Sequence, residues 1–85
     1  MNTDLNQPEF TIYDDGYMPL VTPLTEAAVN WVEANVGERS YLGQSFGGDR
    51  SEIIDMTVGL LKYGFIVHVN GQEVFVHKGE VCIKQ

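Results

Sequence analysis

Phe65-Ile-Val-His-Val69, Asn70-Gly71, Gln72-Glu-Val-Phe-Val-His77, Lys78-Gly79 and Glu80-Val-Cys-Ile-Lys84 decide the fold. These runs read as three antiparallel strands joined by two tight turns. Asn-Gly between such runs specifies a two-residue hairpin turn of type I′. That loop length sets the register: Val69 opposite Gln72, His68 opposite Glu73, Val67 opposite Val74, Ile66 opposite Phe75 and Phe65 opposite Val76. A second two-residue loop at Lys78-Gly79 places Val76 opposite Val81, Phe75 opposite Cys82, Val74 opposite Ile83 and Glu73 opposite Lys84. Lysine is disfavoured at positive φ, so a type I turn with a glycine bulge competes. It would slip the third strand by one residue and spoil the matched faces.

In the matched register one face carries Phe65, Val67, Val69, Val74, Val76, Val81 and Ile83. A face so apolar has to be covered. The other face carries a His68-Glu73-Lys84 row, an Ile66-Phe75-Cys82 row, and His77 with Glu80, with charges complementary across strands.

Two helical segments supply the cover. Asp49-Arg-Ser-Glu52 has the spacing of a capping box, and Ile53, Thr57, Leu60 and Leu61 then fall on one stripe. Gly64 ends that helix. Gly59 inside it costs about 1 kcal/mol against alanine and points to close approach of another element. Upstream, Thr25 is the N-cap of a helix whose stripe is Ala28, Val29, Val32 and Val36. Leu24 and Val29 stand in the positions of a hydrophobic staple, and Thr22 with Pro23 is the alternative start. Glu26 in the first turn suits the helix dipole, Trp31 flanks the stripe and Gly37 ends it.

Phe10 and Ile12 alternate with Thr11 and Tyr13 ahead of an Asp14-Asp15-Gly16 turn. Met18 and Leu20 resume the alternation, and Pro19 marks that second run as an edge strand or extended arm. Phe10–Tyr13 either joins the main sheet or makes a separate hairpin with Met18–Val21. Between the helices, Tyr41-Leu42 and Phe46 suggest a short irregular strand, interrupted by Gly43 and ended by Gly47-Gly48. The expected fold is therefore α+β: two helices packed on one face of an antiparallel sheet with a C-terminal three-stranded meander. Residues 1–8 read as a flexible lead, and residues 9–85 as a single domain.

The net charge is −7, and its placement is uneven. Residues 1–38 hold Asp4, Glu9, Asp14, Asp15, Glu26, Glu33 and Glu38 with no Lys or Arg, whereas acids and bases balance over 39–85. Such a field disfavours nucleic acid and anionic membrane and favours basic surfaces; a solubilising role explains it equally. No basic lead or long apolar run marks a secretion signal or a membrane span, and the single Cys82 suits a reducing, cytoplasmic setting.

Chemistry-bearing residues are sparse. His68, Glu73, His77 and Cys82 share a face but lack metal-ligand spacing, so no metal and no cofactor is expected. Cys82 beside His77 is a diagonal pair, poor for nucleophilic catalysis, and Asp14-Asp15 is turn chemistry. Gly47-Gly48 before a helix matches no phosphate-binding motif, and Asp49 and Glu52 would repel phosphate. The chain thus reads as non-enzymatic.

The helix-forming stretch Pro23-Leu-Thr-Glu-Ala-Ala-Val-Asn-Trp-Val-Glu-Ala-Asn-Val36, with the chain's size and acidity, resembles small accessory proteins of phages and mobile elements. Some of these inhibit host machinery. The resemblance is one of type and transfers no site residue. Together with aromatics in excess of one small core, it implies a protein-binding module, a phage-type inhibitor or modulator that presents its acidic half to a basic partner. Asp14, Asp15, Tyr17, Glu26, Trp31 and Glu33 are the expected partner-binding residues, with Trp31 equally suited to the core. The alternative is a structural module that forms a homodimer through the second face or the last strand of the C-terminal sheet.

Overall fold

The computed structural model describes residues 7–36, 41–42 and 45–84. Their elements run β1 (Phe10–Tyr13), β2 (Leu20–Pro23), α1 (Glu26–Asn35), β3 (Tyr41–Leu42), β4 (Ser45–Gly47), α2 (Arg50–Tyr63), β5 (Val67–Val69), β6 (Gln72–His77) and β7 (Glu80–Ile83). The strands form one sheet in the order β3-β4-β2-β1-β5-β6-β7. The α+β expectation holds, with helices packed against the sheet.

The meander forms in the matched register. His68 pairs with Glu73 and Val69 with Gln72, while Val74, Phe75, Val76 and His77 pair with Ile83, Cys82, Val81 and Glu80. Both turns have positive φ at both central residues: Asn70 at 50° and Gly71 at 82°, then Lys78 at 53° and Gly79 at 80°. Lys78 accepts the left-handed conformation because the apolar alternation of β6 and β7 would flip with any slip. Glu73 and Lys84 meet as expected, through a backbone bond of 2.8 Å and a side-chain ion pair at 3.5 Å.

Pairing between β5 and β6 stops earlier than the register predicts. Phe65, Ile66 and Val67 do not face Val76, Phe75 and Val74 in the ladder. Glu9 takes the backbone of Ile66 instead: Glu9 Oε1 accepts the Ile66 amide at 3.0 Å, and the Ile66 carbonyl accepts from the Glu9 and Phe10 amides. That exchange starts a parallel β1–β5 ladder, Phe10 to Val67 through Ile12 to Val69. The sheet is therefore mixed, not wholly antiparallel.

The N-terminal segment does both things that its sequence left open. β1 and β2 form a hairpin, Phe10 opposite Pro23 and Tyr13 opposite Leu20, and β1 also joins the main sheet. The second strand starts at Leu20, two residues later than the alternation suggested, and it lies inside the sheet between β1 and β4. Pro19 falls just before the strand and Pro23 on its last residue, so neither interrupts the middle of the ladder. Residues 41–42 and 45–47 make a short antiparallel pair, β3 with β4, which extends the sheet past β2.

Phe10, Ile12, Val21, Phe46, Val67 and Val74 point into a single core with Ala28 and Val32 of α1 and Ile53 and Leu60 of α2. Thr25 caps α1 as expected, its hydroxyl accepting from the Ala28 amide at 3.1 Å. Val36 closes that helix by donating to Val32; Gly37, the expected stop, lies outside the described residues. The capping box of α2 forms, with Glu52 reaching back to the Asp49 amide at 3.4 Å. Thr57 is the buried polar member of the α2 stripe, and its hydroxyl donates to the Ile53 carbonyl at 2.7 Å. Gly64, at φ 105°, ends α2 in a left-handed cap. Its amide bonds to Leu61 and that of Phe65 to Leu60, which brings Leu60 and Phe65 into the core together. Gly59 departs from expectation: it is exposed, and a Cβ there would meet nothing within 4 Å.

Candidate functional site

The most heavily organised surface feature is the loop between β1 and β2, Asp14 to Pro19. Asp14 and Asp15 close successive side-chain turns, accepting from the Gly16 amide at 2.8 Å and the Tyr17 amide at 3.0 Å. Asn70, from the β5–β6 turn, clasps the Asp14 backbone on both sides. Its Oδ1 accepts the Asp14 amide at 2.9 Å and its Nδ2 donates to the Asp14 carbonyl at 3.1 Å. Arg50, in the first turn of α2, donates to both carboxylate oxygens of Asp14, at 3.1 Å from Nε and 2.9 Å from Nη2. This two-pronged geometry is the strong form of an arginine–carboxylate contact. It holds the Asp14 carboxyl below its ordinary value, helped by the Gly16 amide, and raises Arg50 in turn.

The result is a short loop tied to the β5–β6 turn and to α2 and carrying a tyrosine that touches little. Tyr17 is 90% exposed, with Tyr13 at 60% and Met18 at 46% beside it in sequence. The end of the Met18 side chain lies over Gly47, where a Cβ would come within 2.9 Å of Met18 Cε. A shallow groove between loop and helix is lined by Tyr17, Met18, Gly48, Asp49, Arg50 and Glu52. In that groove Arg50 is matched by Asp14, and Asp49, which caps α2, stands as an acid beside Tyr17.

Of the six residues expected to bind a partner, three belong here: Asp14, Asp15 and Tyr17. Asp14 serves by holding the loop, since its charge is taken up by Arg50. Glu26, Trp31 and Glu33 belong to α1, which starts at the opposite end of the β1–β2 hairpin from the loop. Glu26 and Glu33 are exposed, two turns apart on one side of the helix. Trp31 is half-buried and sits edge-on to Phe10 at 6.2 Å, the first of an aromatic series that continues through Phe65 at 5.1 Å to Tyr63 at 5.4 Å. Its ring thus closes the core while one side lines a groove with Ala27, Asn30 and Tyr63. Asp49 and Glu52 were legible in sequence only as a helix cap, and nothing in the spacing shows that the cap borders Tyr17.

On the outer face of the sheet a polar row crosses five strands and ends at Lys84, just past β7. Thr22 bonds Ser45 at 2.5 Å, Thr11 stands opposite both Thr22 and His68, and His68 stands opposite Glu73, which pairs with Lys84. His68 Nε2 is enclosed there without a protein partner. Among the described residues no three His, Cys, Asp or Glu side chains converge as a metal-binding group, and no helix is long and apolar enough to cross a membrane.

Comparison with family models, with curated proteins and with solved structures finds no match to this chain.

Proposed function

We propose that the chain is a non-enzymatic protein-binding module that engages a partner carrying basic and apolar surface, working in a cytoplasmic setting. The observation that supports this most is the β1–β2 loop. Six side-chain hydrogen bonds hold it in place, and it displays Tyr17 almost wholly to solvent beside Asp15 and Asp49. Tyrosines on rigid supports are favoured binding anchors, because they bury a large amphipathic area and lose few rotamers. Tethering the loop beforehand removes part of the ordering entropy that a mobile loop would lose on binding. The surrounding acids select against anionic partners and speed encounter with basic ones. Glu26 and Glu33 on α1 add to the field without sharing the contact.

The test is affinity capture from the native host, with the wild type compared against Tyr17→Ala and against Glu26→Gln/Glu33→Gln. A basic protein retained by the wild type should be lost with Tyr17→Ala. It should bind the α1 double variant with slower association, and bind the wild type more weakly as salt rises to about half molar. A captured partner indifferent to Tyr17→Ala refutes the assignment of the loop.

A further inference from the structure

Strand β7 is one edge of the sheet, and β6 is its only neighbour among the described residues. Which of its backbone groups face outward follows from the ladder. The Lys84 amide donates to the Glu73 carbonyl, so Lys84, Cys82 and Glu80, two residues apart, turn their backbone groups toward β6. Val81 and Ile83 then present their N–H and C=O to the open edge. No proline or bulge blunts this edge, and the residues on its helix side are apolar. Ile83 is 50% exposed, and Ile54 of α2, 48% exposed, lines the same crevice as Val81.

The order of residues along β7 is self-complementary. When the strand is laid antiparallel on a copy of itself about Cys82, Val81 faces Ile83 of the second copy and Ile83 faces Val81. These are the residues whose backbone groups are free, so both pairs exchange both of their hydrogen bonds. The same alignment sets Glu80 opposite Lys84 and Lys84 opposite Glu80 on the outer face, matching opposite charges at both ends. A shift of one residue in either direction breaks the hydrogen-bond parity, and a shift of two places a charge against an apolar or turn residue. We propose that this edge binds a second copy of the chain, in a two-fold dimer whose strands are centred on Cys82. Val81, Ile83 and Ile54 of each copy line its helix side. The crevice that Ile54 and Val81 share also reaches Asp14, Pro19 and Arg50 at the foot of the loop, but the strand pairing does not use Tyr17 and does not depend on the function proposed for it.

The alignment places the two Cys82 residues opposite each other at a non-hydrogen-bonded position, where Cα atoms lie about 4.5 Å apart, within the range a disulfide can bridge. Diamide, which accepts the two thiol hydrogens, should therefore convert the native protein to a Cys82-linked dimer. The same protein in denaturing urea at equal concentration should cross-link far more slowly. Sedimentation velocity from micromolar to about millimolar protein should show a monomer–dimer equilibrium for the wild type and for Cys82→Ser. Ile83→Lys, and separately Glu80→Lys, should weaken it about ten-fold or more while leaving the far-UV spectrum unchanged. A strict monomer throughout overturns the proposal. So does a dimer that resists both variants, or one that diamide does not link through Cys82.

Discussion

Replacing Gly59 by alanine tests whether anything leans on the outer side of α2. Glycine in a helix interior is less favourable than alanine by about 0.8–1.0 kcal/mol, because the unfolded chain loses more freedom on ordering. A new methyl group realises that gain only where it fits. At Gly59 the position is exposed and a Cβ meets nothing within 4 Å, so the full propensity difference should appear as stability. For a domain of this size that corresponds to a rise in melting temperature of about 4–8 °C. Gly47 is the internal control. A Cβ there would lie 2.9 Å from Met18 Cε, 3.1 Å from Met18 Sδ and 3.3 Å from the Pro19 carbonyl. The methionine tip can move, but the carbonyl belongs to the backbone, so Gly47→Ala should destabilise by about 1 kcal/mol. Urea denaturation of both variants, with the slope checked for constancy, measures the two signs directly. A destabilised Gly59→Ala would refute the reasoning, since it would mean that another surface closes over this face of the helix.

Two further outcomes follow from the loop chemistry. Lys78 holds φ at 53°, which is strained for a lysine, so Lys78→Asn should convert the turn to Asn-Gly and stabilise by about 1 kcal/mol in the same assay. The Asp14 carboxyl titrates below its ordinary value in the folded chain, through Arg50 first and then the Gly16 amide. Its contribution is therefore complete above the usual carboxylate range and fades as pH falls through the lowered folded value. The acid limb of an unfolding titration should be shallower in Asp14→Asn than in the wild type, and an unchanged limb would remove Asp14 from the account.

Where a signal is local, the residues themselves carry it. Thr25, Asp49 with Glu52, and Gly64 act within one helical turn, and all three caps form. The β6–β7 register is set by a two-residue turn and the period of two, and it matches residue for residue. Gly59 misled because glycine in a helix has two explanations, close packing or tolerance, and only the surroundings separate them. The candidate site was half legible: Asp14, Asp15 and Tyr17 stand in one turn, yet their sequence could not show that Arg50 and Asn70 hold the turn still.

The amino-acid sequence by itself therefore determined the helices, their apolar stripes, the C-terminal meander and the lopsided charge, each resting on contacts between near neighbours in the chain. Tertiary structure decided what depends on distant partners. Glu9 claims the backbone of Ile66, which is 57 residues away, and so sets β1 parallel to β5 and makes the sheet mixed. Arg50, 36 residues from Asp14, cancels one of the acids and brings the cap of α2 beside Tyr17. Several sites along the chain could supply such pairings with similar local energy. The choice among them is made only when the whole apolar face closes over one core, and no short stretch of sequence contains that sum.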